Sequence, residues 1–230
     1  MIFIKIFILS TILLAQNNYP IVLIHGFMGW GPSEMGGYSY WGGDSSLIKE
    51  LESNGTKVIE VSVGPISSNW DRAVESYYQI KGGQVDYGLS HAHKNKIIQK
   101  PNNKIYEGLY TQWNSENPIH IVSHSMGGQT ARMLAYLLSQ EFFISEEKNE
   151  QSQLLGKSNL GWIKSITSIA APHDGTTLTY IITNTIPFVQ YFAGIAGILG
   201  NNYFNFDLQH FGFNREKNES WISYVTRISQ

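Results

Sequence analysis

The apolar run Ile119-His120-Ile121-Val122 leads without a spacer into Ser123-His124-Ser125-Met126-Gly127-Gly128. A short apolar run of this kind reads as a buried strand, and the residues from about Met126 to Ser139 read as a helix. A buried strand, a tight turn with a serine at its apex and a helix together form the arrangement of a nucleophile elbow. Such a turn lifts the Ser125 hydroxyl clear of the chain. It also aims the next backbone N–H, that of Met126, at a developing oxyanion. Gly127 and Gly128 let strand and helix pass closely. The first position of the G-x-S-x-G pattern holds Ser123, whose small side chain still fits. The same residues also suit a Ser/Gly-rich turn without chemistry, and the pentapeptide alone leaves both readings open.

At 230 residues the chain is long enough for one domain with a sizeable core. A net charge of −2 with 15% charged residues gives no reason to expect nucleic acid as a partner. There is no cysteine, hence no disulfide framework and no thiol chemistry. Met1 to Ala15 differ in kind. Lys5 is their single charge, Ile6 to Leu14 are mostly apolar, and polar Gln16-Asn17-Asn18 follow. This predicts a secretory signal over 1–15, cleaved after Ala15, and so an extracellular location. The stretch is short for a membrane span. A first strand or an anchor is the alternative. The remaining residues, 16–230, form the expected folded domain.

Ile21-Val22-Leu23-Ile24, bounded by Pro20 and Gly26, predicts a strand buried on both faces. Asp44-Ser45-Ser46 can cap a helix through about Ser53, which Asn54-Gly55 ends. Lys57 to Val63 predicts a second strand. Ser68-Asn69-Trp70-Asp71 matches a capping box before a helix through Lys81, closed by Gly82-Gly83. Ile119 to Ser123 is the third strand and Trp162 to Ala170 the fourth. Glu141 to Asn159 reads as an exposed loop or ragged helix end. Strands alternating with helices predict an α/β fold with a mainly parallel sheet. Gly175 to Phe206 contains no charged residue. Asn184, Pro187, Gln190 and several glycines suit lipid poorly. The segment is therefore expected to include an apolar flap, about 176–200, over a pocket, with a buried helix pair and a membrane span as the other readings.

These pieces together resemble one family, the secreted true lipases of the staphylococcal and thermoalkalophilic bacillus type. The matching segments are Pro20-Ile21-Val22-Leu23-Ile24-His25-Gly26-Phe27 with Gly29-Trp30-Gly31; Tyr40-Trp41-Gly42-Gly43; Val63 to Ala73; Gly82-Gly83 with Val85-Asp86-Tyr87-Gly88; Ser123 to Leu134; and Ala171 to Leu178. Their order and spacing follow the family, which is more specific than one pentapeptide. The resemblance implies an α/β-hydrolase fold and hydrolysis of carboxylic esters, acylglycerols above all, at a lipid–water interface with transient membrane-surface contact. It implies Ser125 as the nucleophile and the backbone N–H groups of Phe27 and Met126 as the oxyanion hole. Methionine stands where the family has glutamine after the serine, which is acceptable because only its N–H is used.

The same resemblance implies a zinc site in which Asp71 and His91 match the first two ligands. Ile97 and Gln209 occupy the other two positions, with His93, Asp207 and His210 nearby in sequence. Two ligands do not close a tetrahedral site, and Asp71 is also the acidic partner of the capping box. The ester chemistry itself needs no cofactor. His25 and His124 are read as packing or bonding locally, and His173 as a turn histidine after a strand. The resemblance covers the front portion of the family pattern. The last two core strands, the catalytic acid and histidine and the family's calcium site are not found in the chain, so the sheet is expected to be truncated after its fourth core strand. Three readings follow: the front of a longer lipase, a catalytically incomplete protein that binds lipid surfaces without turnover, or recruitment of His173 or His210 as base.

Overall fold

A computed structural model describes residues 18–145, 148–149, 152–177, 179–180, 218–220 and 223. The expected signal over 1–15 and nearly all of the expected flap lie outside these residues. The described part is built on a four-stranded sheet, all parallel. Its strands are β1 (Ile21–Ile24), β2 (Val58–Val61), β5 (Ile119–His124) and β8 (Ile163–Ile169), in the order β2-β1-β5-β8. Helices α1 (Leu47–Ser53), α2 (Asn69–Lys81), α3 (Leu89–Asn95) and α4 (Gly127–Ser139) connect them. This is the α/β fold with a mainly parallel sheet that the alternating pattern predicts.

Val22, Ile24, Ile59, Val61, Ile119 and Ile121 alternate along three strands and face one side of the sheet. There they meet Ala73, Val74, Tyr77 and Ile80 of α2, and Ala131, Leu134, Leu137 and Leu138 of α4. Period 2 on the strands against period 3.6 on the helices places one continuous core in this layer. Leu23, on the opposite pleat, is also buried, so β1 is covered on both faces as its unbroken apolar run requires.

The strand ends differ from the sequence expectation for local reasons. β2 stops at Val61 rather than Val63. Ser62 N–H donates to Gln79 Oε1 and Val63 N–H to His25 Nε2, so side chains take the bonds that a further strand would have needed. β8 stops at Ile169, since Ala170 turns left-handed (φ 49°). β5 runs one residue further, to His124, and α4 starts one residue later, with Met126 as its N-cap. The caps of α1 and α2 are Ser46 and Ser68, as the sequence predicts.

Several elements are additions. A 3-10 turn spans Met35–Gly37, β3 (Gly83–Gln84) pairs antiparallel with β4 (Ile105–Tyr106), and β6 (Phe143–Ser145) pairs antiparallel with β7 (Lys148–Asn149). The segment 141–159 is thus not simply an exposed loop. Leu154 and Leu155 within it are buried in the same core as Trp113 and Tyr77. Among the described residues no helix is long and apolar enough to cross a membrane.

Candidate active site

The chain steps from β1 outward to β2 and then crosses back to β5 on the other side of β1. The strand order therefore reverses between β1 and β5. In open parallel sheets the crevice beyond the carboxyl ends at such a switch point is where ligands bind. The two loops that leave this point carry Gly26-Phe27 and Ser125-Met126.

Ser125 adopts φ 53°, a left-handed conformation that costs a non-glycine residue about 1–2 kcal/mol. The surroundings hold it there. Its N–H donates to the Ile169 carbonyl at 2.9 Å, and its carbonyl accepts from Gly128 N–H at 3.0 Å. The next two positions have no space for a side chain. A Cβ on Gly127 would lie 2.3 Å from the Ile24 carbonyl oxygen, and one on Gly128 would lie 2.4 Å from Ala171 Cβ. Helix α4 thus packs directly on the ends of β1 and β8. Ser123 is fully buried, and its hydroxyl donates to the Thr167 carbonyl at 3.2 Å. That bond satisfies the polar group that replaces glycine at the first position of the pattern.

The β1 loop is a second tight turn against the elbow. Gly29 N–H donates back to the Gly26 carbonyl at 3.1 Å, Met28 is left-handed (φ 56°), and Met28 N–H donates to the Pro65 carbonyl at 2.9 Å. A Cβ on Gly26 would come within 2.8 Å of Ser125 Cβ, so the two turns touch. Met126 caps α4, where the first N–H groups of a helix have no intrahelical acceptor. The structure therefore brings Phe27, Ser125 and Met126 together at the switch point.

Beneath the turns lies a buried polar network to which the sequence gives no functional signal. Arg72, on α2, donates to the His25 carbonyl, to the Gly64 carbonyl and to Thr130 Oγ1 on α4. Burial, first of all, lowers its pKa to about 10 against the opposing pull of Glu75 and Tyr40. Glu75 accepts from Gly64 N–H, the Tyr87 hydroxyl and Lys104 Nζ. Burial alone would raise the Glu75 pKa. The Lys104 charge and these hydrogen bonds outweigh it and hold the carboxyl below its ordinary value. His25 is neutral. Its Nε2 accepts from Val63 N–H, so Nδ1 carries the proton and donates to the Gly26 carbonyl at 3.0 Å. Burial, and then the Arg72 charge, push its pKa down to about 3.

No hydrogen bond joins the Ser125 hydroxyl to a histidine among the described residues. His25 is locked as above. His124 Nδ1 is hydrogen-bonded to the Tyr40 hydroxyl, and His173 accepts a hydrogen bond from Arg132 at 3.4 Å. His210 lies outside the described residues. The sequence reading has His25 and His124 packing or bonding locally, but both bond partners far off in the chain, Val63 and Tyr40, beside the two turns.

Asp71 and His91 also meet, 20 residues apart in sequence. His91 Nε2–H donates to Asp71 Oδ1 at 2.8 Å, the His91 ring stacks on Trp70 at 4.8 Å, and Asn95 donates to His91 Nδ1 at 3.2 Å. Asp71 N–H is capped by Ser68 Oγ at 3.1 Å. Ile97 packs its side chain on the core, and His93 is exposed on α3. Among the described residues no group of three or more His, Cys, Asp or Glu side chains is placed to hold a metal. Asp207, Gln209 and His210 lie outside them. The residues described do not make a zinc site.

The lipase-like, C-terminal domain family matches residues 17–230. The chain belongs to that family. It is 41% identical to lipase 1 of Staphylococcus aureus over 227 residues, 94% of this chain and 33% of the relative. It is 39% identical to a Staphylococcus epidermidis lipase over 225 residues, 93% of this chain and 32% of the relative. The chain therefore spans about a third of the length of these curated relatives. Among solved structures, Staphylococcus hyicus lipase superimposes with a TM-score of 0.78 at 36% identity, covering 94% of this chain and 57% of that one. EstA of Clostridium botulinum superimposes with 0.75 at 40% identity, covering 93% and 51%. The sheet and helices of this lipase-like domain are those of an α/β-hydrolase.

Proposed function

We propose that this lipase-like domain provides the nucleophile and oxyanion hole of a carboxylic ester hydrolase, with Ser125 forming an acyl-enzyme. The carrying observation is the left-handed Ser125 at the switch point, bonded to the Ile169 carbonyl of β8 and to Gly128 N–H and packed against the Gly26 turn. In this reading the Ser125 Oγ attacks the ester carbonyl and its proton passes to a base. The backbone N–H groups of Phe27 and Met126 take up the charge on the carbonyl oxygen, and the alcohol leaves. Water then cleaves the acyl-enzyme. A histidine oriented by an acid must serve as base, and this pair is assigned to no described residue. The names of the relatives favour acylglycerols or other esters as substrate, met at a lipid surface. The expected leader over 1–15 favours secretion.

Ser125→Ala in the full-length protein is expected to reduce hydrolysis of a short p-nitrophenyl ester by at least about 10³-fold. A fluorophosphonate should label Ser125 in the parent protein. Activity retained in the variant would remove Ser125 from the chemistry. Flotation with liposomes, without labelling or turnover, would favour a lipid-binding protein instead.

A further inference from the structure

Tyr40 stands 84 residues before His124 in the chain, yet its hydroxyl joins the two turns of the site. Gly26 N–H donates to Tyr40 Oη at 3.1 Å, and Tyr40 Oη lies 2.5 Å from His124 Nδ1. The direction of the first bond follows from the chemistry of the groups. A backbone N–H can only donate, so the phenol oxygen accepts from Gly26. The phenol keeps its own proton and a second lone pair, so it bonds His124 Nδ1 as donor or as acceptor according to the tautomer of that ring.

The two residues held by this hydroxyl are not arbitrary. Gly26 immediately precedes Phe27, and His124 immediately precedes Ser125. The ring that carries the hydroxyl is itself fixed, edge-on to Trp30 at 5.1 Å and to Trp41 at 5.3 Å. A Cβ on Gly26 would also approach Tyr40 Oη to 3.2 Å, so the hydroxyl fills the space beside the point where the turns touch.

We infer that Tyr40 is a positioning residue whose hydroxyl sets the distance between the Phe27 N–H and the Ser125–Met126 elbow. This rests on Ser125 as the nucleophile. Both oxyanion donors must point at one atom, and an error of about 1 Å in such a pair is worth about 100-fold in rate. Tyr40→Phe keeps the ring and its aromatic contacts but leaves Gly26 N–H and His124 Nδ1 without their common partner. It is expected to lower kcat on p-nitrophenyl butyrate by about 10- to 100-fold while KM stays within about twofold.

The test uses the full-length protein, Tyr40→Phe and Ser125→Ala side by side. It adds ¹⁵N-histidine spectra of each, which report the His124 tautomer whether or not the protein turns over. The wild-type spectrum should show a hydrogen-bonded His124 Nδ1. The Nδ1 resonance should move in Tyr40→Phe and stay in Ser125→Ala. An unmoved His124 resonance in Tyr40→Phe overturns the inference, as does unchanged kcat in an active protein. If Ser125→Ala keeps its activity, the nucleophile assignment fails. The movement of the His124 signal then still decides whether the hydroxyl tie exists.

Discussion

His25 accepts a hydrogen bond from Val63 N–H at one ring nitrogen and donates to the Gly26 carbonyl from the other, so only the neutral ring fits its place. The sign of the resulting pH dependence follows. An unfolded histidine takes up its proton near pH 6.5, whereas the folded one resists it down to about 3. Between those values the unfolded chain binds more protons, so stability rises with pH across the window and is fully present above 6.5. At pH 4 the deficit from this one residue is at most about 3 kcal/mol. His25→Asn should be less stable than the parent at pH 7, by about 1–3 kcal/mol, through lost buried hydrogen bonds. Its further loss between pH 6.5 and pH 4, read from urea unfolding at each pH, should be smaller than the parent's. Parallel profiles for the two proteins would show that His25 does not set the acid sensitivity. Nothing in the Ile24-His25-Gly26 sequence signals this role. The groups that enforce it, Val63 and Arg72, lie 38 and 47 residues further on.

At the scale of elements, the elbow is a packing problem solved by the absence of side chains. Gly127 meets backbone carbonyls of β1, which cannot swing aside as a side chain could. Gly127→Ala should push α4 away from β1 and destabilise the domain by about 3 kcal/mol, seen as a lower urea midpoint at unchanged slope. A midpoint equal to the parent's would mean that α4 can shift freely. The strands and helices legible in the sequence are those whose signal is local. β1 is an apolar run, β5 opens on one and β8 carries Ile163, Ile166 and Ile169, all closed by turn residues, while α1 and α2 carry a serine cap. α3 was not legible because it starts on Gly88 with no side-chain cap and ends on left-handed Lys96 rather than glycine. β3 and β4 have two residues each, too few to show a period. The candidate site divides in the same way. Ser125 stands out from its neighbours, and Asp71 and His91 from a family pattern. Tyr40 and Arg72 act across 84 and 47 residues respectively, and no local pattern records such a tie.

On the scale of the whole molecule, the described domain is held by its own side chains. The Asp71–His91 hydrogen bond, stacked on Trp70, links α2 to α3 without a third metal ligand among the described residues. Purified protein is therefore expected to contain less than one equivalent of zinc by elemental analysis, and EDTA should leave its Tm unchanged within about 1 °C. Stoichiometric zinc with a chelator-sensitive Tm would show that residues outside the described set complete a site. The ties that set Ser125 also have an order in time. Among the described residues, the last group to hydrogen-bond the elbow serine is the Ile169 carbonyl, which accepts the Ser125 N–H. Every other hydrogen bond described around the two turns comes from residues already synthesised by then. A ribosome that has released the chain through β8 has therefore delivered all the described supports of the nucleophile. These described ties are thus all present in the chain before the residues beyond β8 are made.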